Sequence, residues 1–533
     1  MARLLLVNAR IRTFDANVPE QTALIAENGR ISFVGDDFTV RSSYRDGDEV
    51  HDLEGRSVFP AFHDAHTHFY HYALTLRRLR LDDSHSEHSA CQGVKGTADR
   101  APAGDWIVGR GWALSRWGVD EWPTKASLDE AAPNNPVALA SKDGHAWWVN
   151  SKALAAAGIT KATPNPVGGL IERDAAGEPT GILREKALEL VKPFIASPPV
   201  QAVRGGLRDA VVQFHSLGVA SADIVAGAMG RDIELEEGFR LFQNMEHAGE
   251  LGIRLTVYFP AHDLDRLIAC GFRSGFGSDW LRFGGIKLYA DGSLGSRTAA
   301  MLQPYEGTKD CGVEVMPPAE MAAIVKKAAE NGIACAIHAI GDKAVRNTLD
   351  AFQAAKPAAD AFGLRQRLEH AQIVDAADIP RFKQLGVVAS MQPCQLMSDI
   401  DSAEKLWGVE RSKRAYPVRS LLAAGAVVAF GTDVPVEPPD PRRVLKGAVL
   451  RPKEDWTPWN EAECISPWDA FLAYTRGSAW ASGIEDRAGR LVPGCLADMM
   501  VFNEDPIEIP TRRMADATVV MTVIDGKVVY RKK

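Results

Sequence analysis

The stretch "SVFPAFHDAHTHFYHY", Ser57–Tyr72, carries four histidines within nine residues: His63, His66, His68 and His71. Its apolar run from Val58 reads as a buried strand that ends in His-Thr-His. Residues two apart in a strand share a face, so His66 and His68 can grip one ion together. His63 lies three before His66. Strict alternation turns it to the opposite face, where it reads as structural. His71 falls past the strand end and reads as a rim residue. Pro60 marks the hand-over from an upstream β region to this strand.

Seven further runs of the same kind follow: "GVASADIV", "IRLTVYFP", "FGGIKLYADG", "IACAIHAIG", "QRLEHAQIV", "GVVASMQP" and "GAVVAFGTD". Helical periodicity lies between several of them, as in "PAEMAAIVKKAAENG", "DKAVRNTLDAFQAA", "AADIPRFKQLG" and "YPVRSLLAAG". Alternating strand and helix implies a parallel sheet. Eight units point to an α/β fold, a closed (β/α)8 barrel of the TIM type, spanning residues 60–485.

In such a barrel, functional groups sit at the C-terminal strand ends. There the sequence places His66 and His68, then Lys287, His338, His370 and Asp433. Neutral imidazoles suit Zn2+, and a carboxylate from Asp433 completes a nitrogen–oxygen site.

The two chain ends share another texture. "LLLVNARIRTF", "TALIAENGRISFVGD" and "ATVVMTVIDGKVVYRKK" read as short strands joined by tight turns. Neither end can bury a core alone. Together, residues 1–59 and 486–533 are expected to form one discontinuous β-sandwich. A long connection, residues 71–200, separates barrel strands one and two. It holds six of the twelve tryptophans and reads as an inserted lid or pocket wall. Most of these side chains are expected in the insertion's own core. One or two, Trp112 among them, are expected to face a substrate.

The 533 residues carry a formal net charge of -8, which gives no basic excess for nucleic acid. Seven dispersed cysteines without a CxxC pair argue against a disulfide framework and a thiolate zinc site. The start lacks a signal-peptide pattern, and no apolar stretch reaches membrane length. The expectation is a cytoplasmic protein with a small-molecule substrate and no nucleic-acid or membrane partner.

The stretches "FPAFHDAHTHF", "DGHAWWVNSKAL", "GGLIERDAAGEPTGILRE", "IKLYADGSLGSRTAAM", "AIHAIGDKAVRNTLDAF", "RLEHAQ", "FGTDVPVEPPDP" and "GRLVPGCLADMMVF" run in this order along the chain. With them the sequence resembles the amidohydrolase superfamily, in the branch of YtcJ-like proteins and N-substituted formamide deformylases. That resemblance implies that His66, His68 and Asp433 bind the more buried metal, and His338 and His370 a second. It places Lys287 where a carboxylated lysine bridges two metals; the other reading is an unmodified lysine beside a single ion. Two Zn2+ per chain is the expectation, with one as the alternative. The implied reaction is hydrolysis of an amide, formamide or cyclic amide C–N bond by metal-activated hydroxide, with Asp433 as acid and base. Ester or carbamate hydrolysis, or deamination, is the alternative on this scaffold, and a non-catalytic binding protein a further one. The resembled enzymes are often oligomers, so a homo-oligomer is open.

Four more residues are tentative substrate contacts. His145 in "DGHAWW" lies where the branch places its pocket, or is structural. Asp291 and Arg297 belong to "DGSLGSRTA"; Arg297 binds a substrate carboxylate or carbonyl, or else a loop ion pair. Gln395 in "MQPCQLMSD" stands where many members carry a histidine. It can donate and accept but cannot titrate.

Overall fold

The computed structural model describes residues 3–76, 78–195, 200–226, 238–453 and 455–532. Positions 77 and 196–199 of the insertion lie outside them.

Eight strands form one sheet in sequence order: β1 (Phe62–Thr67), β2 (Val219–Val225), β3 (Arg254–Pro260), β4 (Leu281–Tyr289), β5 (Ala334–Ala339), β6 (Arg367–His370), β7 (Val388–Met391) and β8 (Val428–Phe430). All seven neighbouring pairs are parallel. The barrel closes just beyond the regular ladder. Asp433 N donates to His66 O at 2.8 Å, and His68 N donates to Val434 O at 2.8 Å. Gly431 allows this approach, since a Cβ there would lie 2.5 Å from the His66 nitrogen.

Helices cover the sheet as a parallel fold requires. Pro318–Glu330 starts with proline in its first turn and buries Met321, Val325, Ala328 and Ala329, one helical face. It packs against Asp342–Ala361. The strands are buried almost throughout, which accounts for their largely apolar runs.

Both chain ends build two further sheets. One orders Arg30–Gly35, Ala23–Glu27, Leu4–Val7 and Glu49–Asp52. The other orders Lys527–Arg531, Val519–Ile524, Met499–Phe502, Ser57–Pro60, Arg10–Arg12 and Glu20–Gln21. Leu4, Leu6, Leu24 and Ile31 meet Val58, Met499, Val501 and Val523 in a shared core, so the two sheets form a sandwich.

The insertion is more regular than its proline- and glycine-rich sequence suggests. It contains a six-stranded mixed sheet, ordered Gly169–Arg173, Pro179–Glu185, Ala146–Val149, Val137–Ser141, Ile107–Trp112 and Leu79–Arg80. Trp112, Trp117, Trp122 and Trp148 pack ring to ring, 5.8–6.2 Å between centroids. Among the described residues, no helix is long and apolar enough to cross a membrane.

Candidate metal centre and active site

A cavity of about 290 Å3 opens at the C-terminal ends of the barrel strands, roofed by the insertion. His66, His68, Lys287, His338, His370 and Asp433 all line it. One carboxylate oxygen, Asp433 Oδ1, lies 3.5 Å from His66 Nε2 and 3.2 Å from His68 Nε2. One ligand atom from each of these three residues fits within 4.8 Å of the others, a spacing that suits a single cation. Asp433 Oδ1 is buried and accepts no hydrogen bond. A cation satisfies that atom, so the donor set fits a divalent metal.

Each imidazole is turned by a bond from its other nitrogen. His66 Nδ1 meets Glu369 Oε2 at 2.6 Å, and His68 Nδ1 donates to Val225 O at 3.0 Å. His370 Nδ1 donates to Gln392 Oε1 at 2.7 Å, whereas His338 uses Nε2, on Gly292 O at 2.9 Å. The ring centroids of His338 and His370 are 4.6 Å apart, and those of His66 and His370 4.8 Å. His338 thus presents Nδ1 and His370 presents Nε2 beside the first trio. Burial is the leading effect on these rings. It holds His66 and His338 below the usual imidazole range and brings His370 down to about 3. They are neutral at physiological pH, the form that binds metal.

Two of these groups sit on strained backbone. Asp433 has φ 58° and His370 φ 76°, in the left-handed region that L-residues avoid. Each costs about 1–2 kcal/mol, tolerated where the surroundings fix the geometry.

Lys287 is 2% exposed, and its Nζ has no hydrogen-bond partner. Burial lowers its pKa to about 8, against the pull of Glu369 and Asp433. A buried amine in that range is readily neutral.

Glu369 and Arg367 were not singled out from the sequence. Both are fully buried. Arg367 Nε donates to Glu369 Oε1 at 2.8 Å, and its other nitrogens reach Asp223, Ser390 and Ala65 O. The signal was present: charged residues two apart in the barrel run "RLEH" must find partners inside. His63 joins this network through Nε2, 2.8 Å from Asp223 Oδ1. Alternation had set it apart from His66. The pairing of β1 with β2 advances three residues on β1 against two on β2, from Asp64 to Thr67, so an extra residue breaks the alternation.

The tentative substrate contacts separate. Asp291 does not reach the cavity. Its carboxylate accepts backbone N–H bonds from Ala300, Ile340 and Gly341, clamping two loops. Gln395 lines the cavity but donates from Nε2 to Asp433 Oδ2 at 2.6 Å, so it holds Asp433. Arg297 lines the mouth, half exposed, with Asp120 at 3.9 Å. Trp112 borders the cavity but is 1% exposed, its Nε1 donating to Leu139 O. His145 also lines it, with Nδ1 3.0 Å from Glu185 Oε2. His71 is on the rim.

Known proteins share this architecture. A model described as "Amidohydrolase family" matches residues 49–530. Protein LONG AFTER FAR-RED 3 of Arabidopsis thaliana is 35% identical, covering 99% of this chain and 92% of its own. Putative amidohydrolase YtcJ of Bacillus subtilis is 32% identical over 96% of each. N-substituted formamide deformylase of Arthrobacter pascens is 30% identical over 100% and 99%. The crystal structure of an uncharacterized metal-dependent hydrolase from Pyrococcus horikoshii superposes with TM-score 0.76 at 30% identity, covering 95% of this chain and 98% of that one. This chain belongs to the amidohydrolase family.

Proposed function

We propose that the protein hydrolyses the C–N bond of a small amide, N-substituted formamide or cyclic amide at a centre of two zinc ions. His66, His68 and Asp433 would hold one ion, and His338 and His370 the other. The ions would supply Lewis acidity toward the carbonyl and an activated water. The neutral Lys287 amine takes up CO2 and releases one proton, which yields a carbamate suited to bridging. The orphaned Nζ supports this role.

The observation that carries the reading is the setting of Asp433. Its Oδ2 is fixed by Gln395, while Oδ1 is left open between His66 and His68. With Oδ1 turned to the ion, the remaining lone pair of Oδ2 can take a proton from the water and return it to the leaving nitrogen without the carboxylate reorienting. Leu114, Val119, Trp122 and Leu294 add apolar surface to the cavity, which suits an apolar substituent on that nitrogen. The relative named N-substituted formamide deformylase supports the same bond class.

The test is a panel of N-formyl, N-acyl and cyclic amides against zinc-loaded protein, scored by amine release. Hydrolysis of esters alone would overturn the C–N reading. Metal analysis should return two zinc ions per chain, and intact mass under bicarbonate a carbamate on Lys287.

A further inference from the structure

A chain of two amides leads away from Asp433, and its direction is forced. The ionised carboxylate can only accept, so the Gln395 atom 2.6 Å from Oδ2 is Nε2. Gln395 therefore offers its carbonyl at the other end. The Gln372 atom 2.9 Å from that carbonyl must then be Nε2 as well. This leaves Gln372 Oε1 as the end of the chain. It is buried and has no donor among the described residues.

The position of Gln372 is equally constrained. It lies two residues past His370, beyond left-handed backbone at His370 and Ala371. Its main-chain carbonyl accepts from Tyr416 N at 2.6 Å, and its side chain is part of the cavity wall with Gln395, His370 and Asp433. The residue is 4% exposed. A buried acceptor without a donor is disfavoured unless a partner arrives.

From this geometry we infer that Gln372 reads the N–H of the scissile amide through Oε1, so the enzyme selects amides that keep an N–H over N,N-disubstituted amides and esters. The inference rests on the C–N reading above and narrows its substrate class. Three features make an N–H the fitting partner. Gln372 lines the reaction cavity, the amide chain ties its side chain to the carboxylate proposed to carry the proton, and neither an ester nor a tertiary amide can supply the donor. Gln372 is thereby a specificity-determining contact, and Gln395 holds both it and Asp433 in register.

The experiment compares N-cyclohexylformamide with N-cyclohexyl-N-methylformamide and cyclohexyl formate on zinc-loaded full-length protein. Wild type should favour the secondary amide over the tertiary by about ten- to hundredfold in kcat/KM, the size of one lost hydrogen bond that leaves a buried acceptor unpaired. In Gln372→Met that ratio should fall to within about threefold, whatever happens to the absolute rates. A ratio taken within one variant cancels damage common to both substrates. If Gln372→Met does not fold, Gln372→Asn withdraws the carbonyl by one methylene and should lose the preference too.

A wild-type ratio near one, with both amides hydrolysed, overturns the inference and leaves the C–N reading standing. A preference that survives Gln372→Met or Gln372→Asn also overturns it, since the discrimination is then steric. Cleavage of the formate ester with no amine released from either amide overturns both.

Discussion

Two buried polar clusters share the inside of this barrel, one at the floor and one at the mouth. At the floor, Asp223 accepts from His63, Ser482 and Arg367, and Arg367 commits every nitrogen of its guanidinium. Its one orphaned atom is His63 Nδ1. At the mouth, Lys287 Nζ, Asp433 Oδ1 and Gln372 Oε1 are all buried without partners. Both clusters are made of buried groups, so burial alone does not separate them. Satisfaction does. A saturated network holds the fold together, whereas an unsaturated one costs stability unless something binds there.

Substitutions should therefore divide by cluster. Asp433→Asn removes the proposed proton carrier and keeps the shape. Turnover should fall by about 10^4-fold, roughly 5.5 kcal/mol of barrier, while the thermal midpoint of the metal-free protein stays put. Retained turnover would refute the role given to Asp433. Arg367→Leu attacks the floor instead and strands two buried carboxylates, Asp223 and Glu369. It should cost about 3–5 kcal/mol in urea unfolding. A floor variant as stable as wild type would erase the distinction.

The wall of the mouth offers a pH test. Burial opposes charge on His145, but Glu185, helped by Asp143 and Asp291, outweighs it and raises the pKa to about 9. A histidine raised in the folded state adds stability that is full below the ordinary value near 6.5. That stability is lost as pH climbs through about 9. The loss over this window should be about 3 kcal/mol, from about 1.4 kcal/mol per pH unit of displacement. Glu185→Gln should flatten the unfolding profile between pH 6.5 and 9. An unchanged slope would show that His145 is neutral in the folded protein.

The ease with which sequence yields each part follows the same physics. Barrel strands are legible because both faces are covered, so "GVASADIV" and "IRLTVYFP" stay mostly apolar, with Asp223 and Arg254 as their charged exceptions. His66, His68, His338, His370 and Asp433 are legible because each ends such a run. Asp291 misled because a carboxylate after a strand looks the same whether it meets a ligand or a backbone N–H. His63 misled because a bulge is invisible in residue identity. Glu369 escaped notice because its partner Arg367 is adjacent in the strand, but its target His66 lies 303 positions away. Gln372 could not be found at all from sequence, since its meaning lies in an atom with nothing bonded to it.

Glu369 lies between the two clusters and belongs to both, with one oxygen on Arg367 and the other on His66. Glu369→Gln keeps the size but weakens the grip on His66 Nδ1. Zinc affinity should fall by about 10–100-fold, read by chelator competition, with a smaller change in stability than Arg367→Leu causes. Unchanged affinity would assign Glu369 to the floor alone.

Lys287 gives the sharpest contrast. Its pKa near 8 in the folded state lies below the ordinary lysine value, so the unfolded chain binds the proton more tightly. In metal-free protein this lysine opposes folding at pH 7, and the penalty shrinks as pH rises from about 8 toward 10.5. Lys287→Met fills the same volume without a charge. It should raise metal-free stability at pH 7 by up to about 3 kcal/mol, from about 1.4 kcal/mol per pH unit of displacement, the opposite sign to any floor substitution. On the proposed two-zinc centre, the same variant should bind one ion fewer than wild type. Stabilisation with no loss of metal would mean that the amine is a tolerated defect. Stabilisation with the second ion lost would mean that the fold retains an unfavourable residue because the metal centre uses it.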